Sequence, residues 1–206
     1  MREIVLNTWN RKQHFEHFKT LKDPYFAVTF PLNVTKAYTF SKENKISFFG
    51  VYLHDCMKAI NSTENLRYRI VDEKVIDFET INASATIMRA DKTFGFSFID
   101  FNENLNLFLE SLENEKERIL NTKDLFPPKN GLDCVHASAM PWLHFSGHKE
   151  PVSGIEESVP KLAFSKVIQE NEIYKMNVSI NVNHALVDGY HLAMFAEAFQ
   201  NNLNNK

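Results

Sequence analysis

The segment from Asn181 to His191 carries a histidine, His184, a carboxylate four residues later, Asp188, and a glycine directly after it, Gly189. An imidazole in a partly buried site works as a general base near neutral pH, because its ordinary pKa lies at about 6.5. That role needs the second ring nitrogen to be fixed. Asp188 can orient it as a triad carboxylate does, or it can cap a helix or pair with an arginine, and the spacing leaves these roles open. His184, Asp188 and His191 also match a two-histidine, one-carboxylate set for iron or zinc. The strand-like run up to His184 and the break at Gly189 argue against a shared helical face, so no metal is expected. Ser138, in the run Ala137 to Trp142, lacks the glycines of a nucleophile elbow; its hydroxyl can instead donate to a developing oxyanion. Neither of the glycine-rich phosphate-binding patterns occurs.

The flanking elements must hold these residues. Met176, Val178, Ile180 and Val182 alternate with Asn177, Ser179, Asn181 and Asn183, the period of a strand with one buried face, and His184 continues the buried phase. After Gly189 the period turns helical, with Leu192, Phe195, Ala196, Phe199 and Leu203 on one stripe and Asp188 at the N-cap. The imidazole therefore sits where a strand ends and a helix begins. Upstream, the spacing predicts a helix from Arg11 to Leu21, with Phe15, Phe18 and Leu21 on one face and Pro24 beyond its end. A strand over Tyr25 to Phe30 and a buried-face helix over Ile46 to Ile60 follow. Leu66 to Val71 and Val75 to Phe78 read as a hairpin, and the alternation of Phe94, Phe96 and Phe98 as a further strand. The longest helix is expected over Asn104 to Leu120, closed by Pro127, Pro128 and Gly131. Val135 to Ala139, Leu162 to Ile168 and Ile173 to Asn183 read as strands, the last two joined as a hairpin.

A chain of 206 residues that is 44% hydrophobic and 24% charged fits one compact domain rather than a disordered chain. Eighteen phenylalanines against six glycines predict an aromatic interior, an apolar surface buried in an oligomer, or an aromatic-lined pocket. The net charge of -3, with no basic stripe, argues against nucleic acid or an anionic membrane as partner. No signal-type segment and no apolar run of spanning length occur, so a cytoplasmic protein is expected. Cys56 and Cys134 have no partner motif and are expected to be reduced, packed thiols.

Several ordered blocks carry more than any one motif: Trp9 to Phe18, Glu64 to Arg67, Ser138 to Phe145, Pro160 to Lys166, and the His184 segment. Together they resemble the chloramphenicol acetyltransferases, trimeric enzymes that move acetyl from acetyl-CoA to an antibiotic hydroxyl. The resemblance implies a single α/β domain, a mixed β-sheet covered by helices, assembled as a homotrimer with sites at subunit interfaces. It makes His184 the base that takes the acceptor's proton, with direct transfer and no acyl-enzyme, and Ser138 the donor to the oxyanion. It pairs Asp188 with Arg11 to hold the site, sets Trp142 and Lys166 toward CoA, and sets Phe18, Tyr25 and Ala163 toward the acceptor. Departures from the family pattern are Asn181 for glutamine, Asn183 for histidine, Ala163 for threonine and Pro24 for cysteine. The last two touch acceptor recognition more than acetyl transfer. Chloramphenicol is the leading acceptor, another hydroxylated small molecule the runner-up, and a non-catalytic ligand-binding protein the reading from a different class.

Overall fold

The structure, a computed structural model, describes residues 1–153 and 157–206. In chain order its elements are β1 (Arg2–Glu3), α1 (Lys12–Phe18), β2 (Tyr25–Asn33), α2 (Thr35–Glu43), α3 (Phe48–Ser62), β3 (Tyr68–Val71), β4 (Lys74–Asp77) and β5 (Asn82–Met88). Then come β6 (Phe94–Phe96), α4 (Leu105–Asn121), β7 (Cys134–Met140), β8 (Lys161–Ser165), β9 (Ile168–Glu170), β10 (Ile173–Asn183) and α5 (Gly189–Asn204). Among the described residues, the main sheet has the order β2-β10-β8-β7-β5-β6, with β9 added on β10, while β1, β4 and β3 form a small second sheet. β7 runs parallel to β5 and β8, and β10 is antiparallel to β2 and β8, so the sheet is mixed.

One face of this sheet is apolar. Ala83, Ala85 and Ile87 of β5, Val135 and Ala137 of β7, Leu162 and Phe164 of β8, and Met176, Val178, Ile180 and Val182 of β10 are buried in a continuous core. Against them pack Val51, Leu53, Met57 and Ile60 of α3, Phe108, Leu112 and Ile119 of α4, and Leu192, Phe195, Phe199 and Leu203 of α5. Each such side chain contributes roughly 1.5–3 kcal/mol on leaving water. The helix starts carry side-chain caps: Ser47 accepts from the Gly50 amide at α3, and Asn104 from those of Asn106 and Leu107 at α4.

The other face corrects the expectation of one buried and one open side. Ser179, Asn181 and Asn183 are as buried as their apolar neighbours on β10. They tie down the segment that crosses from β7 to β8. Ser179 Oγ donates to the His148 carbonyl at 3.0 Å, Asn181 Oδ1 accepts from the Glu150 amide at 3.1 Å, and Asn183 Nδ2 donates to the Glu157 carbonyl at 2.9 Å. Alternation in polarity therefore reports two different partners here, a helical core on one side and a hydrogen-bonded crossover on the other.

Other boundaries shift for local reasons. α1 ends at Phe18, leaving Leu21 exposed. β2 continues through Pro31 to Asn33, which it can do because it is an edge strand with β10 as its main-sheet neighbour. His184 lies beyond β10, in a turn, and is half-buried. α4 ends at Asn121, well before Pro127, and the stretch Leu162 to Ile168 divides between β8 and β9. α2 and β5 were not anticipated: Ala83, Ser84 and Ala85 of β5 are buried on both faces, which erases the period-two signal. No helix among the described residues is long and apolar enough to cross a membrane. Cys56 and Cys134 are buried free thiols, and Cys134 Sγ donates to the Gly131 carbonyl at 3.2 Å.

Candidate active site

Asn183 makes the turn that presents His184. Its carbonyl accepts from the amides of Leu186 and Val187, each at 3.1 Å, and its side-chain Oδ1 accepts from the Ala185 amide at 2.9 Å. An asparagine is suited to this closure because its short side chain mimics a backbone turn. The departure from histidine at Asn183 is thus a structural choice, whose other end, Nδ2, holds the crossover. The His184 amide is anchored in turn to the Pro24 carbonyl at 2.8 Å.

The imidazole is held by two aromatic rings and one backbone carbonyl. Its ring stacks on Phe18, with centroids 4.0 Å apart and planes at 9°, and Phe26 packs at 4.5 Å. Nδ1 lies 3.1 Å from the Val187 carbonyl. A carbonyl only accepts, so Nδ1 carries the proton and Nε2 keeps its lone pair. Of the roles open to Asp188, orienting this ring is therefore excluded by geometry.

Asp188 serves instead as helix cap and arginine partner. It accepts from the Tyr190 amide at 3.1 Å, while its own amide donates to His191 Nδ1 at 3.1 Å, closing a capping box. Arg11, 7% exposed, forms an ion pair with the Asp188 carboxylate and donates from Nη2 to the His184 carbonyl at 3.3 Å. Burial pushes the Asp188 carboxyl up, but the Arg11 hydrogen bond and the charges of His191 and Arg11 outweigh it, leaving the group below its ordinary value. Among the described residues, no cluster of three histidine, cysteine or acidic side chains is arranged to hold a metal ion.

A carboxyl held low in the folded state contributes stability above its unfolded pKa of about 3.9 and loses it as pH falls through the lower folded value. Asn is a good cap, so Asp188→Asn isolates the ion pair. The substitution should cost about 2 kcal/mol at neutral pH, seen as a thermal midpoint several degrees lower, with the gap to wild type narrowing as pH falls below the unfolded value. An unchanged midpoint at pH 7 would remove Arg11 and Asp188 as the brace of this turn.

Ser138 lies elsewhere. It projects from β7 into a cavity of about 620 Å³, lined also by Ser84, Thr86, His136, Met140, Trp142 and Lys161. Across the sheet Ser138 pairs with Ala163, and Ala163 with Ser179, so the three share the face turned toward the crossover. His184 follows Ser179 by five residues, in phase with Val178, Ile180 and Val182 on the helical face. Two strand spacings and five residues of rise separate the two groups by roughly 20 Å within one chain. A single chain does not bring them together.

The remaining residues divide in the same way. Trp142 is 63% exposed at the rim of the Ser138 cavity, and exposed Lys166 is tied to Leu143 beside it, its amide donating to the Leu143 carbonyl at 2.8 Å. Phe18 faces His184. Tyr25 is buried, its hydroxyl donating to the Val159 carbonyl at 2.9 Å, and it lines a separate cavity of about 310 Å³ with Asn183 and Glu157. Its one hydroxyl proton is committed to that carbonyl. Ala163 is fully buried and exposes no surface to the Ser138 cavity. The Tyr25 hydroxyl proton is thus spent on the crossover, and Ala163 is sealed between neighbouring strands. His136, absent from the sequence reading, lines the cavity two residues from Ser138; the period-two spacing alone could have flagged it.

A family model described as chloramphenicol acetyltransferase matches residues 1–200. A chloramphenicol acetyltransferase of Bacillus pumilus is 28% identical over 190 residues, covering 91% of this chain and 86% of the relative. Chloramphenicol acetyltransferase 3 of Escherichia coli is 25% identical over 207 residues, covering 98% of this chain and 96% of the relative. Among solved structures, a chloramphenicol acetyltransferase superposes with a TM-score of 0.84 at 23% identity, covering 98% of this chain and all of the other. The cubic core of a pyruvate dehydrogenase multienzyme complex superposes at 0.67 with 14% identity, covering 93% of this chain and 86% of the other. These two superpositions show a shared fold.

Proposed function

The chain belongs to the chloramphenicol acetyltransferase family, and on that footing we propose that it transfers acetyl from acetyl-CoA to a hydroxyl of chloramphenicol, with His184 as general base. The observation that carries this reading is the locked ring: Nδ1 is committed to the Val187 carbonyl, so Nε2 is the basic nitrogen. Nε2 takes the hydroxyl proton as the oxygen attacks the thioester carbonyl. The tetrahedral intermediate's oxyanion accepts a hydrogen bond from Ser138, a contact worth on the order of 3 kcal/mol. Collapse breaks the carbon–sulfur bond, and the CoA sulfur leaves with the proton from His184. Trp142 and Lys166 flank the entry of the CoA chain, and Phe18 holds the imidazole against rotation.

The site is completed between subunits, His184 of one facing the Ser138 cavity of the next. Their separation within one chain supports this. Two different surfaces meet in such a contact, which closes into a ring, and family membership favours a trimer. Exposed Trp142, Leu143 and Phe126 on the Ser138 side and Tyr190, Met194 and Val28 on the His184 side offer apolar area to the contact. Dependence on acetyl-CoA, an intracellular metabolite, favours a cytoplasmic location.

A second reading, acetylation of another hydroxylated small molecule, is favoured by the sealed Ala163, which stands where the family pattern has a threonine. Purified protein with acetyl-CoA and chloramphenicol should release free CoA thiol in step with drug acetylation. Thiol release with other alcohols but none with the drug would select the second reading; none with any alcohol would overturn both.

A further inference from the structure

Among the polar side chains of the Ser138 cavity that have no task in the chemistry above, His136 stands nearest to Ser138 along its strand. His136 lies on β7 two residues before Ser138, so both project from the same face about 6.6 Å apart along the strand. Its amide is used by the backbone, donating to the Pro160 carbonyl at 3.0 Å, but its ring has no hydrogen-bond partner among the described residues. Directly opposite on β8 stands Lys161, whose charge is already spent on the Glu157 carboxylate and the Pro151 carbonyl. Opposite Ser138 stands Ala163, which has no polar atom to offer. Met88, Phe94 and Phe96 supply the apolar wall.

We infer that His136 is a specificity-determining residue of the acceptor site, holding a second polar group of the acceptor distinct from the hydroxyl that is acetylated. This rests on the acetyltransferase reading of the same cavity. Burial, with Lys161 adding to it, holds the His136 pKa below its ordinary value, so the ring is neutral at pH 7. A neutral imidazole offers one N–H donor and one lone pair, which suits a hydroxyl or an amide and gives no preference to a carboxylate. The acceptor class that fits is a neutral molecule with an apolar or aromatic body, the reacting hydroxyl near Ser138, and a second hydroxyl or amide set against His136. The hydrogen bond that Ala163 cannot make on the neighbouring strand is made instead along the same strand.

Chloramphenicol, which carries both a second hydroxyl and an amide, is the probe. Drug binding is followed by Trp142 fluorescence and turnover by thiol release, in wild type, His136→Phe and His136→Asn. His136→Phe should raise the drug's Kd and KM about tenfold, leave kcat within about twofold and leave the acetyl-CoA KM unchanged, because one neutral hydrogen bond is lost. His136→Asn, which keeps a donor and an acceptor, should stay within about threefold of wild type. Unchanged drug affinity in His136→Phe, an equal rise in the acetyl-CoA KM, or equal damage from His136→Asn would each overturn the inference. A tenfold loss of drug binding without thiol release in wild type would sink the acetyltransferase reading and keep the role of His136; turnover indifferent to His136 would do the reverse.

Discussion

Replacing His184 by glutamine is expected to lower acetyl transfer about 10³-fold, with the KM for acetyl-CoA changed little. General bases contribute roughly 10² to 10⁴ in rate, and the upper part of that range applies where an unactivated hydroxyl must lose its proton as it attacks. The effect should fall on kcat, because Nε2 acts on the proton in the transition state rather than on the bound ground state. The fold should persist: His184 is half-buried, lies in a turn, and its backbone contacts to Pro24 and Arg11 do not depend on the ring. Near-native thermal stability with retained acetyl-CoA binding would confirm that only chemistry was removed. Turnover within tenfold of wild type would end the general-base assignment and return Nε2 to a packing role between Phe18 and Phe26.

The second large effect comes from mixing two damaged proteins. His184→Ala lacks the base, and Ser138→Ala lacks the oxyanion donor, a loss of about 10² to 10³ in rate by itself. If each site combines His184 of one subunit with Ser138 of the next, oligomers assembled from equal amounts of the two variants regain intact sites. In a randomly mixed ring, a site is intact when an Ser138→Ala chain supplies the histidine and a His184→Ala chain the serine, which occurs in about a quarter of sites. Co-expressed oligomers should therefore show about a quarter of wild-type turnover per site, and trimers selected for both tags, which hold one intact site in three, about a third, far above either parent alone. Activity no greater than the mean of the parents would mean that both residues act from the same chain. The separation of roughly 20 Å within one chain makes that outcome incompatible with a shared reacting atom.

The chemistry-bearing segment was legible because its signals are local. A hydrophobic period of two up to Val182, a cap residue at Asp188 and a helical stripe from Leu192 to Leu203 each follow from neighbours within a few residues; the structure reproduces the strand, the cap and the helix, with both faces of the strand buried toward its end. The Arg11–Asp188 pair spans the chain and could not be read from spacing; it came from the family resemblance, and the geometry agrees. α2 and β5 escaped because neither has a dominant apolar face: β5 is enclosed on both sides and α2 is largely polar. Asn181 and Asn183 read only as departures from the family pattern; their structural roles were hidden because their partners, the Glu150 amide and the Glu157 carbonyl, lie 31 and 26 residues away.

By itself, then, the sequence determined the residue types that can do the chemistry and the strand-to-helix junction that carries them, since periodicity and capping are properties of contiguous residues. Tertiary structure decided what each group is free to do. It turned Asp188 away to Arg11, spent the Tyr25 hydroxyl proton on the crossover, sealed Ala163 and set Lys161 opposite His136. Each of those outcomes depends on strand register and on contacts between distant segments, and a hydrogen-bonding group's availability is fixed only when its partners are.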